Sequence, residues 1–307
     1  MLLLEIARMT EDDAREHLEQ LRWPNGVRCA FCNGTNVTKL QGSSTRPGCY
    51  KCRDCRKKFT VTVGTIMHRS HLSLVKWVLA FHLVCSAKKG ISAHQLHRVL
   101  GITYKTAWHL AHRIRHCMKE QPLAGMLSGT VEVDETYVGG KQKGGKRGRG
   151  SENKTPVVVL VERDGVARSH PVNNVGADEL KGAIRETVDK ESTIMTDEWP
   201  SYTGIGEEFD GGHHVIKHKD KIYVDGDIHT NTAESFFSLI KRGYIGTFHK
   251  MSKQHLHRYV DEFTFRWNTR KLDDEQRTKA ALSQFVGKRL TYKQPIKALQ
   301  EKQDSLK

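Results

Sequence analysis

Two short cysteine pairs constrain the fold of this chain more than any other feature. Cys29 and Cys32 form one CxxC pair, Cys52 and Cys55 form a second, and 19 residues separate the two pairs. Two such turns hold four thiolates in a tetrahedron about 2.3 Å from a zinc ion. Because a module this small has little core of its own, metal binding supplies its folding free energy. The spacing therefore predicts one structural Zn²⁺ in a ribbon over residues 28–66.

The cysteine pairs allow two alternatives to this zinc site. A CxxC pair can be a redox centre, but such a pair typically lies near a βαβ unit and does not occur twice. Cys49 could replace Cys52 as a ligand, although only Cys52 has the CxxC spacing with Cys55. The apolar run from Met1 to Leu4 is too short for a secretory signal. Seven cysteines without such a signal indicate a reducing, cytoplasmic compartment and no disulfide framework.

The positive charge of the chain is confined to one block. The formal net charge is +15 over 307 residues, and residues 28–128 alone carry +15, while residues 1–27 carry −3 and residues 129–307 carry +3. Lysine and arginine at this density favour a polyanionic partner, because counterion release drives such binding. A basic surface that only aids solubility is the alternative. The confinement of the charge favours nucleic acid, and no apolar run approaches the roughly 18 residues of a membrane span.

Helical patterns dominate the first part of the chain. Residues 5–21 predict one amphipathic helix, in which Thr10 caps the stretch from Glu11. Residues 72–86 predict a buried helix. The boundaries that we expect along the chain are an N-terminal helix in 1–27, the ribbon in 28–66, a helical domain in 67–122, an α/β domain in 128–272 and a helical tail in 273–307.

Residues 91–118 predict a helix-turn-helix. Ser92 and Thr103 are suitable N-caps on either side of a short turn that contains Gly101. In the second helix, apolar side chains at helical spacing would face the core: Ala107, Leu110, Ala111, Ile114 and Met118. An ordinary helical hairpin is the alternative. The basic setting favours DNA binding, in which the expected contacts, including two ribbon lysines, are Lys57, Lys58, Tyr104, Lys105, Thr106, His109 and Arg113.

Strands and helices alternate from residue 129 onwards. The order predicts an α/β domain with a mixed sheet flanked by helices. The expected strands begin at Thr130, Thr155 and Val166, and further strands precede Asp197 and follow Gly212. The glycine-rich basic segment 139–150 predicts a flexible loop between the first two strands.

Three acids in this domain are candidate metal ligands. Asp134 lies on the first strand, Asp197 ends a later strand, and Glu234 lies on a helix. Carboxylates that converge from such elements can hold two Mg²⁺ or Mn²⁺ ions for phosphoryl displacement. We expect these acids to be ionised at neutral pH. Three surface carboxylates with no shared site are the alternative, since the chain has 35 acidic residues.

The sequence around these acids resembles the DDE transposases of bacterial insertion sequences. The resemblance is to the Merlin-related, ISXO-like group, which has an N-terminal zinc ribbon and an RNase H-like catalytic domain, and it covers the chain from about Cys29 to Lys271. The stretches that carry it are Cys52–Phe59 with Gly64-Thr65, Ala107–Arg115, Val133–Gly140, Thr196-Asp197, His229–Arg242 and Glu262–Arg270.

The resemblance implies a role for particular residues. The catalytic triad would be Asp134, Asp197 and Glu234. Lys241, seven residues after Glu234 and therefore on the same helix face, matches the base that follows the family's triad and would hold a DNA phosphate with Arg242. Some members of the group have asparagine as the third ligand, so Asn231 is a minor candidate. His229 is a further candidate, and Glu135 and Glu198 are competing acids, of which Glu135 should face away from Asp134.

The leading interpretation is a transposase that cleaves and joins DNA at the terminal inverted repeats of an insertion sequence. Its expected partners are double-stranded transposon ends, target DNA and further copies of the chain, at the bacterial nucleoid. One alternative is a non-catalytic DNA-binding regulator derived from a transposase. Another is a simple RNase H-like nuclease, which would cleave nucleic acid without preference for end sequences and would have no need of two DNA-reading modules.

Overall fold

The computed structural model describes residues 3–119, 125–140, 153–220 and 224–292. The chain divides into two compact units, Met1–Met118 with Leu272–Lys307, and Lys119–Lys271. Most of the predicted glycine-rich loop (residues 141–150) lies outside the described residues. Within the described residues, no helix is both long and apolar enough to cross a membrane.

The first unit begins with two helices where one was predicted. Helix α1 spans Leu3–Arg8 and helix α2 spans Glu11–Arg22. Thr10 caps α2 as predicted, because its hydroxyl accepts the N–H of Asp13 while the Asp13 carboxylate accepts the N–H of Thr10. This reciprocal cap holds Thr10 in extended backbone, which interrupts the helix. The prediction of one continuous helix over residues 5–21 was therefore wrong.

A small antiparallel sheet follows. Its strands are β1 (Val37–Lys39), β2 (Tyr50–Cys52) and β3 (Lys58–Phe59), with β2 in the centre. Its core is three aromatic rings, in which Trp23 meets both Tyr50 and Phe59 edge to face at 5.6 and 6.0 Å between centroids. The Tyr50 hydroxyl also donates to Glu19 of α2 at 2.7 Å. Helix α2 is thus part of the ribbon's packing.

Four further helices complete the first unit. Helices α3 (Leu74–Ser86), α4 (Ala93–Leu100) and α5 (Tyr104–Met118) confirm the predicted helices. The side chains of Ser92 and Thr103 accept the N–H groups of Gln95 and Thr106, as N-caps do. The five apolar side chains of α5 that were predicted to face the core are all buried. A later helix, Asp274–Ser283, packs against α3 within this unit.

The second unit is a five-stranded mixed sheet with helices on both faces, as an RNase H-like fold requires. The strands are β4 (Thr130–Gly139), β5 (Lys154–Glu162), β6 (Ala167–Pro171), β7 (Thr193–Asp197) and β8 (His213–Ile216). Their order is β6-β5-β4-β7-β8. Strand β5 is antiparallel to β4 and β6, whereas β7 runs parallel to β4 and β8. The long central strand β4 therefore pairs on both edges.

Each face of this sheet has its own apolar core. On one face, Val131, Val133 and Ile194 pack with helix α6 (Ala177–Thr187). On the other, alternate valines of β5 pack with helices α7 (Asn231–Gly243) and α8 (Leu256–Asn268). The ninth helix in chain order, Asp274–Ser283, is named α9. Seven consecutive residues of β5 are buried, because helices cover both of its faces.

Candidate active site and metal centre

The four predicted cysteines form one compact cluster. The Sγ atoms of Cys29 and Cys55 lie 3.6 Å apart, and so do those of Cys32 and Cys52. All four sulfurs lie within 4.8 Å of one another. A tetrahedron with zinc–sulfur bonds of about 2.3 Å has edges of about 3.8 Å, so the cluster fits a zinc ion closely. The predicted choice of Cys52 over Cys49 is confirmed.

The backbone around Cys29 favours its thiolate, whereas the contacts of Cys32 with the neighbouring thiols raise the pKa of Cys32 to about 12. Burial opposes ionisation of Cys29, but the N–H groups of Cys32 and Phe31 donate to its sulfur, and the pKa of Cys29 is lowered to about 7. The N–H of Phe31 lies 3.4 Å from that sulfur. A thiolate is the form that binds zinc. The chemistry of these four donors is therefore that of a structural zinc site.

Asp134 and Asp197 lie side by side on neighbouring parallel strands. The register pairs Glu132 of β4 with Met195 of β7. Asp134 and Asp197 are each two residues further along, so they lie at the same level and on the same face of the sheet. Asp134 also pairs with Val159 of β5, which belongs to the core beneath α7. Both carboxylates therefore project on the α7 side.

The environment of Asp134 opposes its ionisation. Burial and the negative charges of Glu135, Asp197 and Glu234 raise the pKa of Asp134 well above its usual value, although the Glu135 N–H donates to its carboxylate at 2.7 Å. This direction runs against the expectation that all three acids ionise readily. The physical reason is that burial and like charges both disfavour the anion. A cation at this position would remove the repulsion.

Glu234 and Lys241 are exposed on α7, on the side of the sheet that carries Asp134. Glu234 lies in the first turn of the helix, and the Lys241 ammonium lies 5.8 Å from the ring of Phe237. Among the described residues, the four cysteines are the only group of three or more potential metal donors within 4.8 Å of one another. The charges of Asp197 and Glu234 therefore act on Asp134, but the carboxylate oxygens of the three acids do not all lie within 4.8 Å of one another. Arg242 and Asn231 are also exposed.

Glu132 is a buried acid next to the site that the sequence analysis did not single out. Its carboxylate is fully buried and accepts the N–H of Thr232 at 2.7 Å, the Thr232 hydroxyl at 2.9 Å and the N–H of Ala233 at 3.1 Å. Arg163 donates to it at 2.9 Å, and Nδ1 of His229 lies 3.2 Å away. The alternation of β4 was the available signal, because it puts Glu132 on the face of Asp134. Glu132 joins the central strand to the start of α7.

The two competing acids have other partners. Glu135 points to the opposite face, where the hydroxyl of Tyr202 donates to its carboxylate at 3.0 Å. Burial, reinforced by the nearby acids, raises the pKa of Tyr202 well above its usual value, so the phenol remains a donor. The Glu198 carboxylate accepts the N–H of Lys219 at 3.2 Å. These contacts agree with the expectation that Glu135 faces away from Asp134.

The predicted DNA-contact residues of α5 already have contacts within the protein. Tyr104 is 45% exposed and stacks on His94, with 4.3 Å between ring centroids. Lys105 is exposed and its ammonium lies 4.7 Å from the ring centroid of Tyr292. His109 is half-buried and meets the same ring edge to face. The Thr106 hydroxyl pairs with that of Thr103. Tyr292, which no motif singled out, therefore borders this face.

Arg113 requires a correction. It was expected to contact DNA, but it is buried at 6% exposure, where its guanidinium lies over the ring of Trp77 and donates to the carbonyl of His68 at 2.9 Å. Burial lowers the pKa of Arg113 to about 10. Helical spacing puts Arg113 on the same side of α5 as Thr106 and His109, but there Trp77 and the backbone of His68 cover it. The ribbon lysines Lys57 and Lys58 are exposed, as a DNA contact requires.

Comparison with known proteins finds a family match in each unit. Residues 126–268 match the ISXO2-like transposase domain, and residues 9–58 match the transposase zinc-ribbon domain. Together with the mixed sheet and the cysteine cluster, these matches define the class: a DDE transposase, which is an enzyme of the polynucleotidyl transferase type. The ribbon match begins at residue 9 and so includes α2, which packs on the ribbon.

The relatives of the chain narrow the class to a family. An uncharacterized protein in transposable element ISH50 of Halobacterium salinarum is 31% identical over 274 residues, which cover 84% of this chain and 91% of the relative. No solved structure matches. The chain belongs to the ISXO2-like family of insertion-sequence transposases.

Proposed function

We propose that this transposase cleaves DNA at the terminal inverted repeats of its insertion sequence and joins the freed ends to target DNA. The observation that carries the proposal is that Asp134 and Asp197 each stand two residues beyond the paired Glu132 and Met195, on one face of adjacent parallel strands and on the side of the helix that carries Glu234. Three acids on these elements are the predicted catalytic triad. The raised pKa of Asp134 supports the proposal, since strongly perturbed carboxyls concentrate at functional sites.

The donor set fits divalent cations. Carboxylate oxygens are the ligands that Mg²⁺ and Mn²⁺ prefer, and Asp134, Asp197 and Glu234 would hold them, with Asn231 as a minor candidate. When bound, two such ions activate the attacking oxygen and stabilise the leaving oxygen of a phosphoryl displacement. The negative charges that act on Asp134 are the feature of this site that a cation would neutralise.

The remaining residues would bind and orient DNA. Lys241 lies two helical turns after Glu234, so its ammonium can hold a phosphate beside the acids. Arg242, Lys57 and Lys58 add exposed positive charge. The ribbon and the α4–α5 pair would select the terminal repeats. Because two ends must be cut and joined together, we propose an oligomer of this chain at the bacterial nucleoid.

A strand-transfer assay tests the proposal. Purified protein is incubated with Mg²⁺ and a duplex that carries the element's terminal repeat, beside Asp197→Asn and the matched control Asp210→Asn, an exposed acid outside the site. We expect nicked and joined products with the wild type and with Asp210→Asn, and none with Asp197→Asn. Equal binding of all three proteins would assign the loss to chemistry.

Two results would overturn the proposal. Specific binding to the repeat without any cleavage in Mg²⁺ or Mn²⁺ would make the protein a DNA-binding regulator. Cleavage without preference for the repeat, and without joined products, would make it a nuclease. Either result would leave the family assignment intact.

A further inference from the structure

A cavity of about 360 Å³ lies at the N-terminal end of α5. Four parts of the first unit form it: the segment 69–72, Trp77 of α3, one side of α5, and Tyr292 in the segment after α9. The lining residues that matter for its chemistry are Arg69, Ser70, Trp77, Lys105, Arg113 and Tyr292. None of the described residues that line it is acidic.

Positive charge collects around this cavity. Arg69 and Lys105 are exposed at its edge, and the buried Arg113 lies at its floor. The cluster extends to Arg289, which is also exposed. Burial and the charges of Arg289, Arg69 and Arg113 together lower the pKa of His68, so each of these three arginines lies within electrostatic range of His68.

The cluster has no counter-charge in the described part of the chain. No described carboxylate forms an ion pair with Arg69, Lys105 or Arg289. The buried Arg113 donates to a backbone carbonyl, and its Nε has no hydrogen-bond partner among the described residues. Buried charges in proteins are normally paired, because desolvation of a lone charge is costly. An arrangement of several cations around a cavity is therefore suited to an anion.

The walls of the cavity indicate what accompanies that anion. The Tyr292 ring lies beside the Lys105 ammonium, at 4.7 Å, and contacts His109 edge to face. On the other side, the indole N–H of Trp77 donates to the Ser70 hydroxyl at 3.0 Å. Trp77 itself is buried and its ring is covered by the Arg113 guanidinium. The ring of Tyr292 beside the Lys105 ammonium therefore suits the sugar of a nucleotide whose phosphate contacts the cations. The volume is enough for one nucleotide unit and too small for a folded domain.

We propose that this cavity binds a backbone phosphate of double-stranded DNA, held by Arg69 and Lys105 at its edge, with Arg289 adding positive charge nearby and Tyr292 against the adjoining nucleotide. The inference rests on the proposed function in that it needs the chain to bind DNA. It assigns DNA contacts to segment 69–72 and to the region after α9, both of which lie outside the two matched domains. A phosphate contact positions the duplex so that exposed residues of α5, such as Tyr104, can reach base edges.

Salt-dependent DNA binding tests the inference. Full-length zinc-loaded protein is titrated by fluorescence anisotropy against a terminal-repeat duplex and a scrambled duplex, between roughly 50 and 200 mM salt. The variants are Arg69→Gln, Arg289→Gln, their double, Tyr292→Ala and Tyr292→Phe. Lys89→Gln, an exposed charge in the same unit that does not line the cavity, is the control. Zinc content and thermal melting confirm that each protein is folded.

We expect the double variant to bind both duplexes about tenfold more weakly than the wild type. The slope of the logarithm of affinity against the logarithm of salt concentration (the salt slope) should fall in magnitude by about 1, as it does when one phosphate contact is lost. Tyr292→Ala should weaken binding and Tyr292→Phe should restore it, whereas Lys89→Gln should leave the slope unchanged. Replacing chloride by inorganic phosphate at equal ionic strength should not displace the duplex further.

Other outcomes separate the two proposals. Wild-type affinity and slope in the folded double variant would overturn the cavity assignment while leaving the proposed function intact. Binding of inorganic phosphate by the wild type that is lost in the double variant, together with unchanged DNA affinity and salt dependence in that variant, would make the cavity a small-anion site and overturn the DNA assignment. Absence of duplex binding by the wild type would overturn the proposed function and the cavity assignment together.

Discussion

The carboxylate of Glu132, on the central strand, accepts the backbone N–H of Thr232, in the first turn of α7, at 2.7 Å. It also accepts the N–H of Ala233. Thr230, at the N-cap position, makes no side-chain cap, so Glu132 satisfies N–H groups that a capping residue normally takes. A negative charge is also favourable at a helix N-terminus. The next residue is Glu234, so this bond sets the third acid relative to the strand of Asp134.

We predict that Glu132→Gln loosens the start of α7. The amide keeps the shape of the side chain but removes the charge that Arg163 and the N–H groups of Thr232 and Ala233 share. The free energy of unfolding should fall by about 2–4 kcal/mol, because charged hydrogen bonds of a buried group are lost. Urea titration measures this change. Hydrogen exchange should become faster at the amides of Thr232 and Ala233.

Glu135→Gln is the matched control for that variant. Glu135 is a buried acid on the same strand, but it points to the other face and bonds Tyr202. It should leave exchange at the start of α7 unchanged. Unaltered protection of Thr232 and Ala233 in Glu132→Gln would show that the helix is held by other contacts.

A second prediction concerns Asp134 and pH. Because its pKa is raised in the folded state, the folded protein holds this proton more tightly than the unfolded chain does. The contribution of Asp134 to stability is therefore full below the unfolded pKa of about 3.9 and is lost as pH rises through the folded value. Asp134→Asn removes the repulsion and should raise the Tm at neutral pH, by about 2–4 °C for each kcal/mol relieved.

Thermal melts across pH check this prediction. The advantage of Asp134→Asn should shrink as the pH falls towards about 4 and disappear below it, where the wild-type carboxyl is protonated in both states. Added Mg²⁺ should stabilise the wild type and not the variant, since only the wild type keeps the ligand. A variant that is less stable than the wild type at neutral pH would show that Asp134 is not crowded by like charge.

Local signals explain why much of the fold could be predicted. The caps at Thr10, Ser92 and Thr103 depend on residues three positions away, and the apolar face of α5 depends only on its period. The alternation along β4 likewise places Asp134 and Glu135 on opposite faces. These features need no knowledge of distant parts of the chain. The break between α1 and α2 was missed because the amphipathic pattern continues through Thr10.

The features that could not be predicted join distant parts of the chain. The Glu132 contact spans 100 residues of sequence, and its acid looks like any other in a list of 35. Helical spacing gives the side of α5 on which Arg113 lies, but its burial depends on contacts with Trp77 and with the carbonyl of His68. Tyr292 lies beside Lys105 only because the segment after α9 packs in the first unit. Periodicity and spacing contain no information about such partners.

A third prediction concerns the zinc site. Cys52→Ser, or removal of zinc with a chelator, should unfold the ribbon. The ribbon has only a small apolar core, which cannot replace the stabilisation that the metal gives to the four clustered cysteines. Zinc content should fall from one ion to none, and DNA binding should weaken. Cys49→Ser is the control, since Cys49 lies outside the cluster. Full zinc retention in Cys52→Ser would show that this cysteine is not a ligand. The sheet of the second unit should keep its circular dichroism in either protein.

The last prediction separates DNA binding from chemistry at α7. Lys241→Gln removes one exposed positive charge on the helix face of Glu234, while Lys250→Gln removes an exposed charge beyond the helix end. If Lys241 holds the phosphate next to the scissile bond, its loss should slow cleavage by about 10²-fold, as loss of one charge-stabilising group typically does. Overall affinity should change by less than about tenfold, because many other phosphate contacts remain. Single-turnover cleavage and anisotropy measure the two quantities separately. Equal losses of affinity and rate in both variants would make Lys241 an ordinary backbone contact.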